Sequence, residues 1–133
     1  MQNINLSNFS SPHKFSFNNL SDYKFGGVYI IFSVDKNGNK EIVKIGESNF
    51  VFRRIANYLS PLEDTDKSEN KHTVTKQTIQ EKMKKGEENG LTYEIRWKIE
   101  DDTKSRKQIE KDLISEFKTG NKGNLPVMNK NNR

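Results

Sequence analysis

The stretch GGVYIIF at residues 26–32 is followed by the turn DKNGN at residues 35–39 and then by EIVKIG at residues 41–46. Both flanking runs are short and apolar, and an Asn-Gly step tolerates the positive φ that a tight hairpin turn requires. We therefore predict an antiparallel hairpin with strands at about 26–34 and 41–46. This hairpin decides the fold, because the other elements must pair with it or pack on it.

Each strand of the hairpin carries one polar side chain close to a glycine. Side chains alternate between the two faces of a strand, and cross-strand neighbours lie within reach of long side chains, so Tyr29 and Lys44 can share a face. A phenol beside an ammonium ion indicates proton chemistry, because an adjacent positive charge favours the phenolate. Aromatic packing is the alternative that this pattern leaves open for Tyr29.

The composition describes one domain with a modest core. The 133 residues are 31% hydrophobic and 31% charged, which suffices for one compact domain but not for two. The net charge of +5, from 23 Lys and Arg against 18 Asp and Glu, favours a polyanionic partner. Many Lys-rich proteins bind no polyanion, so charge alone leaves the partner open.

The chain has no cysteine, and its two histidines are His13 and His72. Disulfides, cysteine-zinc sites and thiol catalysis are therefore excluded, and the histidines have no usual metal-ligand spacing. Any metal ion must be held mainly by oxygen. The first residues lack the regions of a secretory signal, and no run approaches the length of a membrane span, so we expect a cytoplasmic protein.

Residues 1–25 precede the predicted hairpin and carry too many large apolar side chains for a segment that stays in solvent. We predict an arm that packs on the domain formed by residues 26–133. The apolar side chains of this arm are Leu6, Phe9, Phe15, Phe17, Leu20, Tyr23 and Phe25.

The rest of the chain predicts three helices and a third strand. Apolar spacing predicts helices over Phe50–Leu59, Thr73–Lys85 and Lys104–Lys118, with a surface loop at 60–71 between the first two. Alternation over Leu91–Ile99 is typical of a half-buried strand. The predicted class is α+β: a small three-stranded, largely antiparallel sheet flanked by helices, in the order β-β-α-α-β-α.

Glu110 lies within the apolar stripe of the last predicted helix. At about 100° per residue, the stripe from Ile109 to Ile114 spans about 140°, and Glu110 lies near its middle at about 100°. A carboxylate there is costly unless it is paired, hydrogen-bonded or bound to metal. A glutamate that extends to water or pairs with a nearby lysine is the alternative.

Two arginines flank the apolar stripe of the first predicted helix. Arg54 and Tyr58 are four residues apart and so share a helix face. Arg53 flanks the stripe at a similar angle, and periodicity does not choose between the two arginines. A solvated arginine pair is the simpler interpretation.

Four of these features, taken in order, resemble the GIY-YIG nuclease family. Gly27-Val28-Tyr29 matches the first motif, and Lys44-Ile45-Gly46 is a variant of the second. Arg54 follows Gly46 at the spacing of the family's catalytic arginine. Glu110 lies in Glu-x-x-Leu-Ile-x-x-Phe, as the family's metal-binding glutamate does.

Asn129, which follows Pro126, resembles the family's terminal asparagine, so the resemblance covers residues 26–129. Lys44 stands where tyrosine is usual, and Tyr58 stands where many members have histidine. A restriction-endonuclease branch of the family carries these same replacements.

The resemblance implies a GIY-YIG fold over residues 26–133 and a metal-dependent DNA endonuclease that is restriction-like or belongs to a phage or mobile element. Tyr29 would act as general base, Lys44 would favour its phenolate, and Arg54 would stabilise charge on the phosphate. Glu110 would hold one Mg²⁺ or Mn²⁺ ion per active site, and Tyr58 would position water or phosphate. The implied supporting residues are Gly27, Gly46 and Asn129.

The expected partner is DNA, double-stranded, with a homodimer as one route to cutting both strands. The alternatives are a structure-specific or nicking repair nuclease and a catalytically inactive nucleic-acid-binding module. The candidate phosphate contacts are Arg53, Lys71, Lys76, Lys82, Lys84, Lys85 and Lys122, for which a solvated face is the simpler interpretation.

Overall fold

A computed structural model of the chain describes residues 4–15, 24–59 and 71–129. Within these ranges the protein is α+β, as predicted, with one antiparallel sheet and three helices. Its elements are β1 (His13–Lys14), β2 (Gly27–Val34), β3 (Lys40–Ser48), α1 (Val51–Leu59), α2 (Lys71–Glu88), β4 (Thr92–Ile99) and α3 (Thr103–Gly120).

The predicted hairpin is confirmed as the antiparallel pair of β2 and β3. Its turn places Gly38 at φ 84°, and the Asp35 carboxylate accepts the backbone N–H groups of Asn37 and Asn39, both at 2.9 Å. A shift of register after Ile31 leaves Val43 as an extra residue in β3. Such a bulge bends the strand locally and redirects side chains near it.

The prediction of three strands is wrong, because the described residues form a four-stranded sheet in the order β1-β4-β2-β3. The additional strand is the two-residue β1, which pairs with β4 through His13 and Lys14. Further bonds from the same segment continue along β4: Ser10 N donates to Trp97 O at 2.7 Å, and Phe15 N donates to Tyr93 O at 3.1 Å. Two residues are too few to show an alternating pattern, so the sequence did not indicate this strand.

Two apolar clusters cover the two faces of the sheet. Strand β2 lies between β3 and β4. Because both faces of this strand are covered, its sequence is a nearly continuous apolar run. The first cluster joins the sheet to α1 and α2 and includes Tyr29, Ile31, Ile55, Tyr58, Ile79, Met83, Tyr93 and Ile95. The second joins the sheet to α3 and comprises Val28, Ile30, Ile42, Ile45, Leu113 and Phe117.

The described part of the N-terminal arm packs on the sheet. Ile4, Leu6 and Phe9 contact the α3-side cluster, and Phe15 is buried in the other cluster. The Arg96 side chain in β4 donates to the Ser10 carbonyl oxygen at 2.8 Å. Phe17, Leu20 and Tyr23 of the predicted arm lie outside the described residues, and the division into arm and domain stays a prediction.

Element boundaries differ from the predicted ones by a few residues. Helix α2 begins at Lys71, where a loop was predicted, and the rest of that loop lies outside the described residues. Helix α3 begins one residue early, because the Asp102 carboxylate caps it by accepting the Ser105 N–H at 2.8 Å. No helix in the described part of the chain is long and apolar enough to span a membrane.

Candidate active site

The side chains of Tyr29 and Tyr58 contact each other in the core. Tyr29 lies in β2 and Tyr58 in the last turn of α1, and their hydroxyl oxygens are 2.9 Å apart in a buried hydrogen bond. The rings meet edge to face, with centroids 6.4 Å apart and an interplanar angle of 65°. Only 1% of Tyr29 and 4% of Tyr58 is exposed. The Tyr29 phenol is therefore buried and held by a hydrogen bond, and this is compatible with both the packing and the functional interpretation of the residue.

Two glycines let the neighbouring strands approach Tyr29 closely. Gly46 is the cross-strand partner of Tyr29, and a Cβ atom at this position would lie 2.5 Å from both Cζ and Oη of the tyrosine. A Cβ atom on Gly27 would collide with the carbonyl oxygen of Lys98 in β4. Any side chain at position 46 would therefore displace the Tyr29 hydroxyl or separate the strands.

The structure distinguishes the two arginines that periodicity left equivalent. Arg54 is half-buried, and its positive charge acts to lower the pKa of Tyr29 and of Tyr58. Arg53 is exposed, and its guanidinium carbon lies 5.5 Å from the centroid of the Phe50 ring. Arg54 therefore lies within electrostatic range of the tyrosine pair, whereas Arg53 lies on the surface.

Burial controls the protonation of the tyrosine pair. It raises the pKa of Tyr29 well above the usual value of 10.0, with further upward contributions from Tyr58 and from the negative charge of Glu110. Burial also raises the pKa of Tyr58, even though its hydrogen bond with Tyr29 acts in the opposite direction. The largest cationic influence on Tyr29 comes from Arg54. Burial therefore favours the protonated form of both hydroxyls, and the Arg54 charge acts against it.

Glu110 approaches this group from the opposite layer of the fold. It is half-buried on α3, and burial, followed by the nearby negative charge of Glu47, raises its carboxyl pKa above the usual value of 4.5. The Lys44 and Lys107 charges and a hydrogen bond from the Glu47 backbone N–H act to lower that pKa. Lys44 is only 8% exposed and is the cross-strand partner of Ile31. The Glu110 carboxylate therefore lies within electrostatic range of Lys44 and of both tyrosines.

The outer edge of β3 holds these parts together. β3 is the last strand of the sheet, and the Val43 carbonyl oxygen accepts the Met128 N–H at 2.8 Å. The Asn129 side chain accepts the Ile45 N–H at 3.0 Å and donates to the Ile45 carbonyl oxygen at 2.9 Å. Met128 and Asn129 thus cover part of an edge that would otherwise be open to another strand.

We expect Asn129→Ala to lower the free energy of unfolding by about 1–3 kcal/mol, because it leaves both partly buried polar groups of Ile45 without their side-chain partner. Urea unfolding followed by circular dichroism measures this loss. Asn124→Ala is the matched control, since Asn124 is exposed in the same C-terminal segment. Equal urea midpoints for the two variants would contradict a stabilising role for the Asn129 side chain at the edge of β3.

Two residues at this site were not found from the sequence. Glu47 follows the second motif directly, and Arg106 precedes Glu110 by one helical turn. Arg106 is only 3% exposed, and its Nε donates to Glu47 Oε1 at 3.0 Å. The spacing of four residues between Arg106 and Glu110 was a usable signal, because it places both on one face of α3.

The donor set suits one oxygen-liganded cation. The described residues contain no group of three or more acidic, histidine or cysteine side chains that could hold a metal ion. Among the predicted site residues, Glu110 offers a half-buried carboxylate. Mg²⁺ fits such a donor, because it keeps several waters and uses one or two carboxylates together with substrate phosphates.

The candidate DNA contacts lie on several exposed surfaces. Lys82, Lys84 and Lys85 are exposed on α2, whose Ile79 and Met83 pack in the cluster that contains Tyr58. Of the other four, Arg53 is exposed on α1 and Lys122 is exposed after α3. Lys71 and Lys76 lie in α2, and their side chains lie outside the described ones.

Comparisons with family models, with curated proteins and with solved structures found no match to this chain.

Proposed function

We propose that this chain is a metal-dependent DNA endonuclease of the GIY-YIG type that hydrolyses phosphodiester bonds. The observation that carries the proposal is the placement of Tyr29, Tyr58, Arg54, Lys44 and Glu110, which come from four elements. The Tyr29 and Tyr58 hydroxyls share a buried hydrogen bond, the Arg54 and Glu110 charges act on the pKa of both tyrosines, and the Lys44 charge acts on the pKa of Glu110. Such shifts among buried and half-buried titratable groups are typical of functional sites. The net positive charge of the chain agrees with a polyanionic substrate.

Each group has a role in phosphodiester hydrolysis that its chemistry fits. Arg54 and Lys44 supply positive charge to the non-bridging oxygens of the scissile phosphate. Glu110 would hold a divalent ion, Mg²⁺ or Mn²⁺, whose Lewis acidity would supply charge stabilisation at the phosphate and the leaving oxygen. In its phenolate form Tyr29 would take a proton at its Oη from the attacking water, as the water oxygen bonds to phosphorus and the bond from phosphorus to the leaving oxygen breaks. Tyr58 would orient the Tyr29 oxygen through their hydrogen bond.

The raised pKa of Tyr29 makes proton removal the demanding part of this scheme. Burial is the largest influence that raises the pKa of both tyrosines, the Glu110 charge adds a smaller upward contribution, and the Arg54 charge acts in the opposite direction. A cation on Glu110 would cancel the Glu110 contribution and bring the Tyr29 pKa closer to the working pH. The phenolate is therefore most accessible when the carboxylate is paired.

The proposal is tested by incubating the purified chain with supercoiled plasmid, with Mg²⁺ and with EDTA. We expect conversion to open-circular or linear DNA only with Mg²⁺, since the charge of the divalent ion is needed at the phosphate. Glu116→Gln, which changes an exposed carboxylate on the same helix, should cleave like the wild type. Plasmid left intact by the wild type under every divalent metal tried would refute the proposal.

The form of the product separates the related functions. Open-circular DNA alone would favour a nicking or repair nuclease, and linear DNA would favour paired sites in a homodimer. Retarded migration of DNA on a native gel without cleavage would favour a binding module that has no turnover. Sequencing the ends of the products reports the recognition sequence and the stagger of the cuts.

A further inference from the structure

Helix α3 carries charges of opposite sign on opposite flanks. At about 100° per residue, four of its lysines fall within an arc of about 60° around the helix axis. Asp112 and Glu116 lie about 80° or more beyond that arc, and the Asp112 carboxylate accepts a hydrogen bond from Gln108 at 2.8 Å. We call the four lysines the lysine stripe; they are Lys104, Lys107, Lys111 and Lys118.

The lysine stripe borders the candidate site. Glu110 lies between the stripe and the buried face of α3 that Leu113 and Phe117 form, about 60° from Lys107 around the helix. Lys107 Nζ is 3.9 Å from Glu47 Oε2, at the end of β3, and the Lys107 charge acts to lower the pKa of Glu110. The stripe therefore begins beside the candidate site and continues toward the C-terminal end of the helix.

The stripe is unfavourable for the helix by itself. Lys107 and Lys111 are four residues apart, and like charges at that spacing repel each other. Lys104 lies in the first turn, where the helix dipole disfavours positive charge and where α3 has no acidic residue. Within the described residues, Lys104, Lys111 and Lys118 form no ion pair. A negatively charged partner would remove this repulsion.

Helix α2 shows the arrangement that is typical of a solvated face. Its exposed Lys85 follows Glu81 by four residues, and its exposed Lys84 precedes Glu88 by four. Opposite charges at that spacing attract each other, so the signs balance within the helix. The separation of signs on α3 is therefore not a general property of the helices of this chain.

Duplex DNA fits the length and the charge of the stripe. At about 1.5 Å per residue, Lys104 and Lys118 are about 21 Å apart along the helix axis. This is the length of about six base pairs, since each strand of DNA carries one phosphate per about 3.4 Å of its axis. Lys104, Lys107 and Lys111 are exposed and Lys118 is half-buried, so the three exposed ammonium groups are accessible to phosphates.

We infer that the lysine stripe is the surface on which duplex DNA lies, with its phosphates running along α3 past Glu110. The inference rests on the proposed function for the choice of DNA among polyanions. Contacts of lysine with phosphates add affinity and orient the duplex, and they carry no sequence preference of their own.

The first experiment measures binding of a fluorescent duplex by anisotropy at several salt concentrations, in EDTA to exclude metal-dependent cleavage. Lys104→Gln and Lys111→Gln should each weaken binding. Each should also lower the slope of log affinity against log salt concentration by about 0.9, the value for one phosphate contact, and the double variant should lower it by about 1.8. Lys36→Gln is the matched control, because it removes the same charge from the hairpin turn, where the Lys36 side chain lies over Gly90. This control should keep the wild-type slope.

Thermal unfolding at low salt separates loss of binding from damage to the fold. Lys104→Gln and Lys111→Gln should unfold at or above the wild-type temperature, because each relieves repulsion within the stripe. Competition with polyglutamate then tests the class of partner. Polyglutamate that displaces the duplex as well as unlabelled DNA does would indicate an acidic protein partner and would overturn the inference.

Wild-type salt slopes in both lysine variants, or a wild type that binds no duplex, would also overturn the inference. Unchanged slopes together with Mg²⁺-dependent plasmid cleavage would leave the proposed function intact. A wild type that binds the duplex through the stripe but cleaves no plasmid under any divalent metal would remove the proposed function and keep the inference.

Discussion

Glu110→Gln is expected to reduce Mg²⁺-dependent cleavage by about a thousandfold or more, because the ion supplies several kcal/mol of transition-state stabilisation and each 1.36 kcal/mol is a factor of ten in rate. Glutamine keeps the size of the side chain, so the change is mainly one of charge. Plasmid cleavage under single-turnover conditions measures the loss. Binding to a short duplex, followed by fluorescence anisotropy in EDTA, should stay close to that of the wild type.

The stability of this variant provides the control. Burial raises the pKa of Glu110, so the ionised carboxylate destabilises the folded protein at neutral pH, and this cost disappears as the pH falls below the ordinary value of 4.5. Glu110→Gln carries no such charge and should therefore unfold at a temperature equal to or higher than the wild type at about pH 7, with the difference narrowing toward pH 4. Loss of activity with a lowered unfolding temperature would indicate damage to the fold, and full activity would exclude Glu110 from the reaction.

Tyr29→Phe is expected to lower turnover by about 10²- to 10⁴-fold, the usual contribution of a general base. The ring that fills the space opposite Gly46 is kept, so the protein should fold. The Tyr58 hydroxyl loses its buried partner, which should lower the free energy of unfolding by about 1 kcal/mol. Turnover at saturating Mg²⁺ and urea unfolding measure the two effects separately.

The pH dependence tests the role of the hydroxyl directly. Because the pKa of Tyr29 is raised well above 10.0, the phenolate is a small fraction at neutral pH, and that fraction grows about tenfold per pH unit. Wild-type turnover should therefore rise between about pH 7 and pH 9, and the residual activity of Tyr29→Phe should lack this rise. Tyr93→Phe, another buried tyrosine on the same face of the sheet, should keep the wild-type profile. An unchanged profile in Tyr29→Phe would place the general base elsewhere.

Local signals were sufficient for the α+β class and for most elements of the fold. The Asn-Gly turn and its two apolar flanks predicted the β2–β3 hairpin, and alternation from Leu91 to Ile99 predicted β4. Strand β1 was not predicted, because its two residues are too few to show an alternating pattern. They are held by bonds to β4, which is a long-range contact that periodicity does not report.

The residues of the candidate site were likewise only partly indicated by the sequence. Periodicity placed Tyr29 and Lys44 on one face and placed Glu110 in an apolar stripe. It gave no means of choosing Arg54 over Arg53, since the choice depends on which side of α1 faces the tyrosines. It also missed Arg106 and Glu47, whose contact joins residues 59 positions apart in the chain.

The sequence by itself determined which residue types are available: no thiol, two distant histidines, and a tyrosine, lysine, arginine and glutamate set among apolar residues at strand and helix spacing. Only the tertiary structure decided how those residues ionise and what orients them. Burial is the main reason why the pKa values of Tyr29, Tyr58 and Glu110 are raised, and burial depends on packing between elements that are distant in the chain. The hydrogen bonds of the Asn129 side chain along the outer edge of β3 likewise exist only once the C-terminal segment packs against that strand.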